Sequence, residues 1–457
     1  MTHPSTREDD GELRPLLQLA APLILGHAGN QFMSVVDTAM VGRLGAPSLA
    51  GVGIGNGIFF TVSCLGLGAV MGIEAPVAQA FGAGEMVRTR RLLWQGVRVA
   101  IGISLPLLVI LAAAPLCLPA FGVDPVTSRE ARDYLWARSL NLVPFLVFSV
   151  QRSYLQAHGV TRPIVTASIW GNIANFVGNY VLIYGDAGLT RLGLPRVGLP
   201  ALGVAGAAWA STLSSLAMML VLARAANATP TPPDADRRRF DRQLVGTILR
   251  LGAPMGAQIV AEVGVFATVG TLAGRLGADV AAAHQVAITI ASFTFCVTLG
   301  IGAATSVRVG KHIGVGDTPA ARHAATVGLL TSVAFMMGAA VFFFSVPALF
   351  ATALTNDAAV ISASIPLIRI CAVFEISDGL QAVASGALRG AGDPHAPLWA
   401  NIIGHWVLGL PVALVLGFGC GWGAPGLWWG LSLGLTAVAV GLTWRFYSLS
   451  SRPIARV

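Results

Sequence analysis

The chain has 457 residues, 55% of them apolar and only 11% charged, with a formal net charge of +8 and a mean hydropathy of +0.72. A soluble domain carries roughly 25% charged residues. A soluble protein of this length would therefore lack the polar coat it needs, which excludes soluble enzymes and nucleic-acid-binding domains. At about 20 residues per span, twelve membrane helices would use roughly 240 residues, and the composition describes a polytopic membrane protein.

Twelve hydrophobic stretches follow one another at 15–40, 49–74, 92–116, 131–157, 163–185, 199–224, 246–271, 281–306, 322–350, 358–386, 397–418 and 424–447. They are numbered here as helices 1–12. Turn chemistry separates them, as in Gly42-Arg43-Leu44-Gly45, Phe121-Gly122-Val123-Asp124-Pro125 and Gly392-Asp393-Pro394. Each is too long for a membrane strand, and backbone groups in lipid must be satisfied within the segment, so all are predicted as helices. The 54 glycines suit close helix–helix contact in lipid.

The polar residues 1–14 show no cationic region leading to a small-residue cleavage site, so helix 1 is expected to be retained after a short N-terminal tail. The expected division is tail 1–14, N-lobe 15–224, linker 225–245, C-lobe 246–447 and tail 448–457. The linker, Pro-rich and charged with Arg237-Arg238-Arg239, reads as a flexible join between two rigid bundles. Basic residues such as Arg88, Arg90, Arg91, Arg98, Arg308, Lys311 and Arg389 concentrate in alternate connections. By the positive-inside rule this places both termini in the cytoplasm. Cys64, Cys117, Cys296, Cys371 and Cys420 form no paired motif and read as small membrane hydrophobes.

A repeat underlies this order. Shifted by 232 residues, Leu16–Glu85 lies on Ile248–Asp317 without a gap, with 17 of 70 positions identical. Ala21-Pro22 falls on Ala253-Pro254, and Gly42-Arg43-Leu44-Gly45-Ala46 on Gly274-Arg275-Leu276-Gly277-Ala278. Six helices per half is an even number. The predicted fold is therefore an all-α membrane protein of twelve transmembrane helices in two six-helix lobes, related by a pseudo-two-fold axis along the membrane normal, with a binding site between the halves.

Four carboxylates fall inside predicted helices: Asp37 in helix 1, Glu262 in helix 7, and Glu375 with Asp378 in helix 10. Each costs about 2.5–3.5 kcal/mol at the bilayer centre. Arg369, the nearest cation in helix 10, is six residues from Glu375 and off its neighbouring helical positions. A proton, a metal ion or a cationic substrate is needed to neutralise them. Glu375 and Asp378, at i and i+3, share a face. Under the repeat Asp37 maps onto Val269 and Glu262 onto Asn30, so each lobe carries its own ionisable position on a shared scaffold.

Asn172, Asn175 and Asn179 line one face of helix 5, where packing between helices and lining of a cavity are both open readings; Gln31 and Asn30 in helix 1 read the same way. Glu74, near the end of helix 2, reads as structural. His27, His284 and His405 are isolated, which argues against a catalytic metal site, and no GxxxxGK[ST] loop is present for ATP. Pro22 and Pro254 come early in helices 1 and 7, at positions that can bend them.

The run Val36-Asp37-Thr38-Ala39-Met40-Val41-Gly42, preceded by Pro22 and followed by Val77-Ala78-Gln79-Ala80-Phe81-Gly82-Ala83-Gly84, resembles the first half of a MATE-type (multidrug and toxic compound extrusion) antiporter. Asn175–Gly185, Pro254 with Glu262, and Asp378-Gly379-Leu380-Gln381 leading to Gly386-Ala387-Leu388-Arg389-Gly390 continue the resemblance over nearly the whole chain. With acids in helices 7 and 10 and asparagines in helix 5, the pattern is similar to the NorM branch. The acid typical of helix 5 in the DinF branch is replaced here by Asn175 and Asn179.

The resemblance implies a V-shaped cleft and a secondary antiporter, not an enzyme. It implies export of lipophilic organic cations in exchange for Na⁺ or H⁺, without a cofactor, by a monomer in the bacterial inner membrane whose partners are small molecules and lipid. Glu262 and Asp378 would then form the C-lobe cation site, holding Na⁺ if sodium is the coupling ion. Asp37, with Asn175 and Asn179, would form the N-lobe site; Glu375 is a candidate from its place inside helix 10 that the family motif does not settle. A lipid-linked-sugar flippase would want a cationic cavity, and a membrane-embedded transferase a soluble loop or clustered polar motif, and neither feature stands out.

Overall fold

The computed structural model describes residues 11–191, 193 and 195–457. Most of the expected N-terminal tail, with Arg7, lies outside them. Among the described residues there is no strand. The helices, numbered by passage, are α1 (Leu13–Val41), α2 (Ala46–Gly82), α3 (Met86–Phe121), α4 (Pro125–Ser139 continued by Leu142–Ala157), α5 (Arg162–Tyr184) and α6 (Gly203–Ala228), followed by α7 (Arg242–Arg275), α8 (Ala278–Val315), α9 (Thr318–Ser345), α10 (Ala358–Ala391), α11 (His395–Gly419) and α12 (Ala424–Leu449). Each predicted stretch falls on one of them.

Nine of the twelve are long and apolar enough to cross a membrane by length and hydropathy, namely α2, α3 and α6–α12. The other three have identifiable reasons for falling short. In α4 a turn at Leu140-Asn141 leaves two shorter pieces. In α1 and α5 the polar side chains His27, Asn30, Gln31 and Asp37, and Asn172, Asn175 and Asn179, dilute the apolar run. Two of these three, α1 and α5, carry the polar residues of the N-lobe candidate site, whereas α7 and α10 hold their acids in runs that stay apolar enough to qualify. α11 winds as a π-helix over Ile402–Gly409 and Val415–Gly419, on either side of a segment containing Pro411, which has no backbone N–H to donate.

The chain forms two compact units. The first comprises residues up to Ile24, 74–85 and 257–457. Its core gathers Val265, Leu367, Phe374, Leu427 and Trp428. Here α8 and α10 approach backbone to backbone: a β-carbon on Gly386 or Gly390 would collide with the carbonyl oxygens of Gly302 and Ser306. The second segment of α2 (Glu74–Gly82) belongs to this unit. Gln79 Nε2 donates to the Gly390 carbonyl at 3.0 Å, Val457 N donates to Gln79 Oε1 at 2.8 Å, and Glu74 pairs with Arg389 at 3.7 Å, in keeping with a structural role for Glu74.

At the entry to α1, Arg308 grips Glu12 with two bonds of 2.5 Å. Burial alone would raise the Glu12 carboxyl, but the Arg308 fork and His312 hold it down at about 2.

The second unit comprises 25–73 and 86–256, with a core around Met40, Val52, Tyr134, Ile183 and Val204. The linker, expected to be flexible, is strapped along α3 within this unit. Arg90 donates to the carbonyls of Ala226 (2.6 Å) and Thr229 (2.8 Å), and Arg91 forms a fork on Asp234 at 2.7 and 3.0 Å. Gln95 Nε2 donates to Arg239 O at 2.7 Å, Arg98 donates to Arg238 O, and Arg238 stacks over Trp94. The cause is a basic and polar stripe on one face of α3 that satisfies the carbonyls a Pro-rich segment cannot pair by itself.

α1 and α7 each pass from one unit to the other. The division falls after Ile24 in α1 and after Gly256 in α7, two residues beyond Pro22 and Pro254 and at positions equivalent under the 232-residue repeat.

Candidate functional site

Two groups of carboxylates emerge, one in each unit. In the second unit Asp37 is buried on α1 and closed into a ring of side chains. Asn179 Nδ2 donates to Asp37 Oδ1 at 2.5 Å and to Asn175 Oδ1 at 3.1 Å. Asn175 Nδ2 donates to Ser211 Oγ at 3.1 Å, and Ser211 Oγ donates to Asp37 Oδ2 at 2.7 Å. Helix spacing builds this ring. Asn175 and Asn179, four apart on α5, present their amides one above the other, and α6 supplies the hydroxyl. Tyr184 Oη, donating to the Met40 carbonyl at 2.9 Å, ties α5 to α1 a turn away.

Each Asp37 oxygen thus accepts one bond, while Asn179 Oδ1 stays buried without a partner. The ring offers oxygens of the hard type that suit a small cation or a proton.

The asparagine face divides at this point. Asn172 donates to its own helix at the Ser168 carbonyl, 2.8 Å away, and stays out of the ring. Gln31 is half-buried and Asn30 exposed on α1, and neither joins it. Ser211 is the member that sequence reasoning missed. Serines in membrane helices commonly bond their own preceding turn, as Ser149 and Ser432 do here, and nothing in the local sequence sets Ser211 apart.

In the first unit Glu262 on α7, and Glu375 and Asp378 on α10, come together, with Asp378 within electrostatic range of both glutamates. Their polar support is thin. Gln381 Nε2 reaches Glu262 Oε2 only at 3.5 Å, and Cys371 Sγ points at Glu375 Oε1 at 3.5 Å. Glu375 Oε2 is buried with no partner, and Asp378 makes no hydrogen bond or ion pair among the described residues. No arginine clamps the group: Arg389 pairs with Glu74, and Arg369 lies over the Phe344 ring at 5.9 Å. Gln258, whose Nε2 donates to Ser385 Oγ at 3.3 Å, adds a second polar bridge between α7 and α10 near Glu262. Asp378, within electrostatic range of both glutamates and out of water, gains from a mobile cation or a proton that offsets their charge.

Two of the histidines have partners outside both groups. His284 accepts from Trp428 Nε1 at 3.2 Å, and His405 is buried against Phe266. Among the described residues no three His, Cys, Asp or Glu side chains converge as a metal cluster.

Comparison with known proteins agrees with this architecture. The MatE family pattern matches residues 22–181 and 254–415, two segments that begin at the repeat-equivalent prolines. The multidrug resistance protein NorM of Burkholderia vietnamiensis is 36% identical over 448 residues, covering 96% of this chain and 94% of that protein. A probable multidrug resistance protein NorM of Deinococcus radiodurans is 34% identical, covering 95% of each. Among solved structures, the eukaryotic MATE transporter AtDTX14 superposes with a TM-score of 0.84 at 22% identity, over 96% of this chain and 97% of that one. A MATE protein in its straight conformation superposes with 0.86 at 20% identity, over 98% of this chain and 100% of that one. These likenesses establish the twelve-helix, two-lobed fold.

Proposed function

The chain belongs to the MatE family, whose members are membrane transporters and not enzymes, and from that premise we propose that it is a secondary antiporter. In this reading it exports lipophilic organic cations, including drugs, from the cytoplasm across the bacterial inner membrane in exchange for Na⁺ or H⁺. Both termini are cytoplasmic, and two lobes, 15–224 and 246–447, alternate in access. The observation that carries the reading is the set Glu262, Glu375 and Asp378: Glu375 and Asp378 are buried, none of the three has an ion pair among the described residues, and Arg389 acts on Glu262 only from a distance.

Such a group is neutralised in turn by the coupling ion and by cargo. Exchange then requires the two to favour different states, because equal affinity would shift nothing. Asp37, held in its ring, serves as the second ion site, with the unpaired Asn179 Oδ1 as a further oxygen donor.

The test is release of a fluorescent organic cation from proteoliposomes under an imposed Na⁺ gradient and, separately, an imposed pH gradient. One gradient should drive release in the native protein and fail in Asp378→Asn. Release that ignores both gradients, or an Asp378→Asn variant that pumps normally, would overturn the reading.

A further inference from the structure

Glu375 is the one acid of its group that the family motif does not cover, and the first unit holds a crevice that the antiport scheme does not use. The crevice, about 840 Å³, lies between α8, α9 and the short helix Pro347–Leu354. Phe293, Phe335, Phe342, Phe343 and Phe350 form its walls. Phe350 stands edge-on to both Phe342 (5.1 Å between ring centres) and Phe343 (4.8 Å), so the rings make a box and not a loose slick. Phe343 is buried at its floor, whereas Phe293 and Phe342 are 50% and 52% exposed at its rim. α8 and α9 are both long and apolar enough to span the membrane, so the exposed rings of this rim lie along membrane-spanning helices.

No basic residue lines the crevice. Its inner wall includes Thr294, whose hydroxyl also faces the Glu375 carboxylate on α10. Behind a wall of aromatic rings therefore sits a buried carboxyl group, one oxygen of which has no hydrogen-bond partner. Phenylalanine faces attract cations, more strongly where water is excluded, and a carboxylate in a low-dielectric surround adds attraction of the same sign. A hydrocarbon chain would gain only from the rings. A cation with an aromatic or alkyl shell gains from both.

We propose that this crevice is a lateral binding site for lipophilic organic cations entering from the lipid, with Glu375 as the counter-charge behind Thr294. The cargo class rests on the antiport reading above; the location and the role of Glu375 do not.

The test uses purified full-length protein in lipid nanodiscs, without any ion gradient, and an aryl-azide derivative of tetraphenylphosphonium. Its uncharged isostere, an aryl-azide tetraphenylmethane, serves as the comparison. After illumination, peptides carrying Phe293, Phe335 or Phe342 should bear the phosphonium label, and excess tetraphenylphosphonium should protect them. The neutral probe should need about tenfold more for equal labelling. Glu375→Gln should bring the phosphonium probe down to the neutral level, and Thr294→Val should move it in the same direction.

Gly338 offers a variant that does not touch the buried acid. A β-carbon there meets nothing within 4 Å, so Gly338→Leu starts from open space, narrows the crevice and should cut labelling by both probes severalfold. Equal labelling by charged and neutral probes would make the crevice a resting place for acyl chains and overturn the proposal. So would labelling that Gly338→Leu leaves unchanged or that falls only on other peptides. Because labelling is read without transport, its failure leaves the antiport reading intact, and failure of gradient-driven release leaves the labelling result standing.

Discussion

The two acid sites solve the same problem in opposite ways. Asp37 sits in a closed ring in which both carboxylate oxygens are donated to by neutral side chains on α5 and α6. Glu262, Glu375 and Asp378 have two long hydrogen bonds between them, with Gln258 and Thr294 nearby, and one oxygen with no partner. A ring of amides and a hydroxyl can hold one negative charge in place. A bare cluster of three cannot hold its charge without something that arrives and leaves. The difference teaches that a buried acid can be met by fixed neutral donors, as at Asp37, or left with almost none, as at Glu375 and Asp378. Glu12 supplies the third case, an acid balanced permanently by Arg308.

The sharpest break of this comparison is functional. Asp378→Asn keeps size and removes the charge that no protein group balances. It should raise the coupling-ion concentration for half-maximal efflux roughly a hundredfold, or about 3 kcal/mol. Expression and thermal stability should stay near native, because no internal bond is lost. Ion titration of transport in proteoliposomes reads the first, and fluorescence-detected unfolding the second. A stability loss as large as the affinity loss would show that Asp378 is a packing residue after all.

Glu12→Gln sharpens the same contrast from the paired side. The Glu12 carboxyl is held at about 2 against an ordinary 4.5. Its contribution is therefore complete above pH 4.5 and disappears as the pH falls from 4.5 toward 2. That contribution is up to about 3 kcal/mol. The variant should unfold earlier than the native protein at pH 7, and the gap should close as unfolding is followed down to pH 3. A gap independent of pH would mean that Arg308 stabilises the entry to α1 by packing and not by charge.

Much of this was legible in the sequence, for definable reasons. Twelve helices follow from hydropathy, and the repeat places Pro22 opposite Pro254, where the units later prove to divide. Asp37, Asn175 and Asn179 could be picked out because polar side chains in apolar helices are costly and their spacing puts the asparagines on one face. Ser211 could not, since a serine's partner depends on which helix lies beside it.

The same limit hid the Gln381–Glu262 contact, which exists only once α7 and α10 cross. The linker was misread for a different reason. Its own composition says flexible, but its partners Arg90, Arg91, Gln95 and Arg98 lie on one stripe of α3 that, read for topology, looked only like a positive flank. Asn172 shows the converse: the right residue type and spacing, yet its amide donates to its own helix and it stays out of the ring.

Within the ring, Asn179→Ala removes two donated bonds, one of them to a carboxylate, and leaves Asp37 Oδ1 buried and bare. The expected cost is about 2 kcal/mol in unfolding free energy. It should be accompanied by a response of transport to pH or Na⁺ that shifts toward that of the bare cluster, since Asp37 would then also need a mobile partner. An unchanged ion response would separate the ring from coupling.

Ser211→Ala is the smallest and the most discriminating change. It takes the donor from Asp37 Oδ2 and the acceptor from Asn175 Nδ2 but leaves Asn179 on the other oxygen, so about 1 kcal/mol should be lost. Ser211 is itself buried, so part of any loss could come from the small void and not from the hydroxyl. Ser211→Thr restores the hydroxyl while adding a methyl group, and Ser211→Cys keeps the size with a weak donor. If the hydroxyl closes the ring, thermal stability should rank serine first, threonine next, and cysteine and alanine together at the bottom. A ranking in which cysteine matches serine would assign the site to packing, and the ring would be an open chain ending at Asn175.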